Sequence, residues 1–319
     1  MDKATEIPVN SFAADVLKGL TDEKKHLSSK YFYDDNGSRI FMEIMKMPEY
    51  YPTGCEFEIL SQQSGNILNE LPFNERFNIV EFGSGDGVKT KQLLSTFMEK
   101  GADFTYVPID ISQEAIDALE KNITSVLPNI KMKPKTGDYF KVLETLSKDT
   151  TPNLFLFLGG NIGNYLRQDA LGLLRKFNAG MKKGDMLLMG MDLKKNPHII
   201  QKAYDDAQGI TKAFNMNLLS RINNELDADI KLDQFDFYSN YSPKTGEVNS
   251  YLVSLKQQHF HSMVLDTTFH FEKDELIWTE LSQKYSFEDI DILANEAGFT
   301  VTKNFMDCKY YFTDSLWVK

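Results

Sequence analysis

The sequence predicts an α/β fold in which a parallel sheet with helices on both faces is joined to an inserted α+β lobe. Three observations carry this. Between residues 78 and 192, short apolar runs alternate with stretches whose apolar residues recur at helical spacing, the pattern of repeated βαβ units. One strand-to-helix junction, Gly83-Ser-Gly-Asp-Gly87, carries three alternate glycines. From 193 to 286 the alternation gives way to a helical stripe and then to strand-like runs, which have no place in a βαβ succession.

Taken in order, Phe12, Val16, Leu17 and Leu20 predict an amphipathic helix over 11–27. Lys30 to Arg39 packs three aromatics before a turn, and Ile40 to Met45 resumes helical periodicity. Pro48-Glu-Tyr-Tyr-Pro-Thr53 ends that helix, because each proline biases its predecessor away from helix. A further helix is expected over 56–71. Strands follow at 78–82, 105–109, 131–135, 154–158 and 186–190, with helices at 89–100, 113–127, 141–146 and 168–181 between them. In the insertion, Ile199, Ile200, Ala203, Tyr204, Ala207 and Ile210 form one helical stripe over 198–214, continued by 218–226. Strands are expected at 235–241, 249–256 and 267–271, with Ser242 to Gly246 as a hairpin turn. Helix 288–297, capped by Gly298, and strands 300–305 and 312–318 return to complete the sheet.

Ligands of such sheets sit beyond the carboxyl ends of the strands. The residues there are Gly83 to Gly87, Asp110, Asp138 with Tyr139, Gly159 to Asn164, and Asp192. The glycines strip Cβ atoms from a turn at a helix N-terminus, which suits a nucleotide cofactor. A dinucleotide loop calls for G-x-G-x-x-G; here Val88 stands at the third glycine's place and Gly87 comes one place early. Asp110 can accept from both ribose hydroxyls or serve as a turn residue before the next helix. Asp138 and Tyr139 can hold an adenine or simply form a turn.

The net charge of −11 disfavours nucleic acid and anionic lipid as partners. Cys55 and Cys308 have neither metal-like spacing nor the number for a disulfide framework. The first residues are not a basic region followed by an apolar core, and no run of 18 apolar residues occurs. A cytoplasmic monomer without membrane or nucleic-acid partners is expected. His259-Phe-His261 places two imidazoles on one side of a strand with no third ligand evident, so no metal is expected. Neither a G-x-S-x-G elbow nor an Asn/Asp-Pro-Pro-Tyr motif is present.

Glu81-Phe-Gly-Ser-Gly-Asp-Gly87 resembles the first motif of S-adenosylmethionine (SAM)-dependent methyltransferases. With Lys30-Tyr-Phe-Tyr-Asp-Asp-Asn-Gly-Ser38, Pro48 to Thr53, Phe157-Leu-Gly-Gly-Asn-Ile-Gly-Asn164, Ala203-Tyr-Asp-Asp206 and Thr279-Glu-Leu-Ser282, the chain from about residue 28 onward resembles the histidine-specific methyltransferases of ergothioneine biosynthesis. The resemblance implies a Rossmann-like class I methyltransferase sheet as the SAM-binding domain, 62–196 plus 287–319. The substrate-binding lobe is then 1–61 plus 197–286, with the substrate in a cleft between the two.

It implies trimethylation of the α-amino group of L-histidine, giving hercynine and S-adenosylhomocysteine, without a metal. Tyr33, Gly83, Lys89, Asp110, Asp138 and Tyr139 match cofactor contacts. Tyr50, Asn164 and Tyr204 match residues that hold the amino acid's ammonium and carboxylate, and Glu280 with Ser282 the pair that reads the imidazole. Asn164 and Tyr33 are the expected catalytic residues. Ser250, which borders the imidazole pocket in this alignment, stands where the family often has methionine, and Asn161 replaces a threonine of the Gly-Ser-Thr-Ile-Gly-Asn motif. These departures keep open an N-methyltransferase for another amino acid or small amine. A SAM-binding protein without turnover is the third alternative.

Overall fold

The computed structural model describes residues 11–137, 139–146 and 149–319. The chain runs α1 (Ser11–Thr21), α2 (Asp35–Ile44), α3 (Tyr51–Glu70), β1 (Phe77–Phe82), α4 (Thr90–Glu99), β2 (Phe104–Asp110), α5 (Gln113–Val126), β3 (Lys135–Thr136), α6 (Tyr139–Leu146), β4 (Asn153–Phe157), α7 (Arg167–Gly180) and β5 (Met186–Asp192). It continues α8 (Pro197–Tyr204), α9 (Ile210–Leu226), β6 (Phe235–Tyr241), β7 (Glu247–Ser254), β8 (Gln258–Ser262), β9 (Thr267–Phe271), β10 (Leu276–Gln283), α10 (Phe287–Glu296), β11 (Thr300–Met306) and β12 (Phe312–Val318). Two compact units result. Tyr51–Lys195 with Gln283–Lys319 form the sheet unit, and the stretch ending at Tyr50 with Asn196–Ser282 forms the insertion unit. The sequence reading drew these boundaries after 61, 196 and 286.

In the sheet unit the strand order is β11-β12-β5-β4-β1-β2-β3, a Rossmann-like α/β sheet. β1 pairs parallel with both β2 and β4, and β4 with β5, while β12 runs antiparallel to β5 and to β11. The order reverses at β1/β4, so the crevice for a ligand opens at their carboxyl ends. Both faces of the sheet are covered, which is why these strands read as unbroken apolar runs. Within β1, alternation sends Val80 and Phe82 into one core with Phe155 and Phe177, and Phe77 and Ile79 into a second with Leu93, Leu154 and Leu188. Phe82 stacks on Phe177 with ring centroids 4.7 Å apart.

Several elements differ from the sequence expectation for physical reasons. The third strand shrinks to two exposed residues plus an isolated bridge between Tyr106 and Met132, because Pro134 interrupts the ladder at the sheet edge. α3 begins at Tyr51, with Pro52 in its first turn, where a missing N–H costs nothing. α1 stops at Thr21 rather than 27.

The insertion unit contains a three-stranded sheet, β10-β7-β6, and a separate β8–β9 hairpin. Phe12, Phe32, Phe214, Leu218, Leu252 and Ile277 share its core. The expected single helix over 198–214 is two helices. The Asp206 carboxylate accepts the N–H groups of Ile210 (3.0 Å) and Thr211 (2.8 Å), and Gly209 takes φ +74°, so a new helix starts there. Strand β10 has no counterpart in the sequence reading. Among the described residues, no helix is long and apolar enough to cross a membrane.

Candidate active-site residues

In the sheet unit, the three glycines after β1 all adopt positive φ: Gly83 +67°, Gly85 +54° and Gly87 +70°. A Cβ on Gly83 would stand 3.2 Å from the Tyr139 hydroxyl, whereas one on Gly85 would meet nothing within 4 Å. The loop thus packs against Tyr139 at one end and leaves an open backbone face in its middle. Glu81, buried just before the loop, accepts hydroxyl hydrogen bonds from Thr90 (2.5 Å) and Tyr106. Burial pushes its carboxyl up to about 7, against the lowering effect of those two hydroxyls.

Asp110 ends β2. Its Oδ1 accepts from the Ser112 N–H at 3.0 Å, and Ser112 in turn caps α5 through the Ala115 N–H. The turn role is therefore real, and the same carboxylate also faces Tyr139. Burial, then the Asp110 charge and the Tyr165 phenol, raise the Tyr139 hydroxyl to about 12. Gly83, Asp110 and Tyr139 are thus brought together. Asp138 lies outside the described residues. Ile111, beside Asp110 and 77 % exposed, is an apolar surface the sequence reading passed over.

Lys89 pairs with Glu56, a residue of α3 that sequence reasoning missed. Desolvation lowers the lysine's pKa, but the Glu56 carboxylate outweighs it and the group stays above its ordinary value. Glu56 is fully buried, and its other oxygen accepts from the Gly159 N–H at 2.6 Å. Gly190 makes room: a Cβ there would lie 2.3 Å from Glu56 Oε1. Opposite Gly190 in the β5–β12 register stands Asp314, fully buried, neither oxygen hydrogen-bonded. Burial first, then the Glu56 charge, hold its carboxyl well above the usual carboxylate range.

After β4, Gly159 and Gly160 take φ +83° and +70°, and a 3₁₀ turn spans Asn161–Asn164. Asn161 spends its amide on the Leu158 carbonyl at 2.9 Å. Gly163 lies so close to the Gln283 backbone that a Cβ would meet its carbonyl oxygen at 2.8 Å. Asn164, by contrast, is exposed. At the end of β5, buried Asp192 accepts from the Tyr51 hydroxyl (2.9 Å), Lys195 (2.5 Å) and Lys284 (2.8 Å).

In the insertion unit, Tyr33 meets Phe41 and Phe214 edge-on at 5.3 and 5.7 Å and remains 49 % exposed. Desolvation, then the Glu280 charge and the Tyr204 phenol, raise its hydroxyl above the ordinary range. Tyr50 and Tyr204 meet at 6.2 Å, and the Tyr204 and Ser282 hydroxyls are hydrogen-bonded at 2.9 Å. Glu280 and Ser282 are two residues apart on β10 and so share a face. Tyr33, Tyr50, Tyr204, Glu280 and Ser282 are therefore neighbours. Ser250 lies on adjacent β7, 1 % exposed; its carbonyl accepts from the Thr279 hydroxyl at 3.0 Å. The alternating burial of β7 puts Ser250 on the face of Leu252, toward the core.

Residues 12–319 match the family described as histidine-specific, SAM-dependent methyltransferase. The chain is 32 % identical over 316 residues to the histidine N-alpha-methyltransferase of Mycolicibacterium smegmatis, covering 99 % of this chain and 97 % of that one. It is 33 % identical to the Mycobacterium tuberculosis protein of the same name, over 85 % of this chain and 83 % of that one. An L-tryptophan methyltransferase of Psilocybe serbica is 26 % identical over 93 % of this chain and 89 % of its own. With its SAM-type glycine loop, Rossmann-like sheet and near full-length match, this chain is a member of the SAM-dependent histidine-specific methyltransferase family.

Proposed function

We propose that the enzyme trimethylates the α-amino group of free L-histidine, giving hercynine. The observation that carries this reading is the Glu280–Ser282 pair on one face of β10, with Ser282 oriented by Tyr204. An imidazole has one N–H donor and one acceptor nitrogen; a carboxylate takes the first and a hydroxyl gives to the second. The names of the two mycobacterial relatives support the same substrate.

The sheet unit fits SAM. The Gly83–Gly87 loop has a face with no Cβ to fill it, Asp110 offers a carboxylate for ribose hydroxyls, and exposed Ile111 with Tyr139 offers apolar surface for a flat base. Gly83, Lys89, Asp110 and Tyr139 are its proposed contacts, with Tyr33 and Asp138 carried over from the sequence reading. When bound, SAM supplies an electrophilic methyl group on a sulfonium sulfur.

The chain's own work is orientation. An ammonium has no lone pair, so the substrate nitrogen must lose a proton to water before each of the three transfers; the product is a permanent cation. In the first two transfers Asn164 accepts an N–H of the neutral amine through its side-chain oxygen and so fixes the direction of the lone pair; the dimethylated amine of the third transfer has no N–H left to give. Tyr33, Tyr50 and Tyr204 present hydroxyls and ring faces to the growing cation. Glu280, Ser282 and Ser250 set the fit of the side chain.

Ser250 favours a second reading, methylation of another amino acid, because a small polar residue alters pocket volume and polarity. The tryptophan-methylating relative supports that alternative. Twenty amino acids assayed with methyl-labelled SAM separate the two: the proposal expects histidine to dominate, and transfer to another amino acid without transfer to histidine supports the second.

A further inference from the structure

Three of the chain's five histidines gather on one face of the β8–β9 hairpin. The sequence shows His259 and His261 alternating along a strand and supplies no third ligand; the pairing of the strands does. His270 lies directly opposite His259 in the antiparallel register, and His261 lies opposite Thr268. Phe260, Ser262, Phe269 and Phe271 alternate with these residues and are buried, so the histidines occupy the outward face together. The His259 and His270 rings already stand with centroids 5.7 Å apart. Side chains two apart on a strand are separated by about 6.5 Å and those opposite across a pair by about 5 Å, so three imidazoles occupy three corners of one small patch.

The fourth corner is Thr268, whose hydroxyl lies 3.0 Å from His261 Nδ1. When Nδ1 donates to that hydroxyl, the lone pair falls on Nε2, the nitrogen at the outer end of the ring. An outer group that fixes tautomer and ring orientation is what metal-ligating histidines ordinarily carry. The net charge of −11 raises the local concentration of cations around the chain.

We infer that His259, His261 and His270 form a surface site for a divalent transition-metal ion of the zinc class, with the fourth position left to water. Imidazole is the preferred neutral ligand of such ions, and three of them meet one ion at about 2.0–2.1 Å after side-chain rotation. The site clamps the two strands of a hairpin that forms its own two-stranded sheet. A second acidic and thiol cluster, Glu58, Asp307 and Cys308, has its donors within 4.8 Å of one another. Its carboxylates are committed to backbone N–H groups of Cys308, Lys309, Tyr311 and Phe312.

The test is a titration of the full chain with zinc ions against a chromogenic chelator, monitored for stoichiometry and affinity. One ion per chain is expected. His259→Gln and His270→Gln should each weaken binding at least about tenfold, and Thr268→Val by about tenfold, the usual effect of losing an outer partner. His26→Gln, His198→Gln and Cys308→Ser should bind as the parent does. His259, Thr268 and His270 are exposed, and circular dichroism of each variant is to match the parent's before its binding is compared. Absence of binding, binding unaffected at 259 and 270, or binding lost in Cys308→Ser overturns the assignment. None of these readouts depends on methyl transfer.

Discussion

The Glu56 carboxylate accepts from the Gly159 backbone N–H at 2.6 Å and, through its other oxygen, from the Lys89 ammonium. One buried side chain thus ties the loop after β4 to the start of the helix that follows the glycine loop. Removing one partner of a buried ion pair strands the other, at a cost of about 3–5 kcal/mol. Glu56→Ala should lower unfolding free energy in urea by about that amount, and Glu56→Gln, which still accepts from Gly159, by less. Equal stability of the alanine variant and the parent would contradict this role.

The Tyr204 and Ser282 hydroxyls, 2.9 Å apart, should act as a unit on substrate. Tyr204→Phe and Ser282→Ala are each expected to raise KM for histidine more than they lower kcat. Their effects should fall short of additive by about 1 kcal/mol. Strict additivity in a double-mutant cycle argues that the hydrogen bond has no part in binding.

Glu81 gives the fold a pH dependence. Its carboxyl is raised from 4.5 to about 7 by burial, so the folded chain binds a proton between those values that the unfolded chain has released. The contribution to stability is fully present below about pH 4.5 and is lost as pH rises through about 7, up to about 3 kcal/mol in all. Glu81→Gln should flatten this slope in unfolding measured from pH 5 to pH 8. Parallel curves for the two proteins would sink the assignment.

Asn164 is exposed and lies at the end of a 3₁₀ turn whose shape depends on Gly159, Gly160 and Gly163 rather than on its own side chain. Asn164→Ala should therefore fold normally and bind SAM as the parent does. Its turnover should drop on the order of a hundredfold, the effect of a misplaced reacting group. Unchanged turnover removes Asn164 from the mechanism.

The sheet was readable in sequence because its signals are local. Apolar runs, glycines at positive φ and the turn residues after β1 and β4 each announce themselves within a few positions. β10 was not, because Thr279 stands between Ile277 and Leu281 on its buried face and breaks the apolar–polar alternation that marks a half-buried strand. The break between α8 and α9 was hidden by apolar spacing that continues across Asp205 to Gly209. The partnerships of Glu56 with Lys89 and Gly159, and of His259 with His270, join residues 11 to 103 positions apart and exist only once the strands and helices are paired. Single candidates such as Tyr33 and Glu280 were nameable by resemblance; their proximity was not.

Histidine incubated with the enzyme and excess SAM, followed by mass spectrometry of the amino acid pool, should yield a species carrying three added methyl groups on the α-nitrogen. Histidine left unmodified, or methylated on the imidazole ring, would contradict α-amino trimethylation.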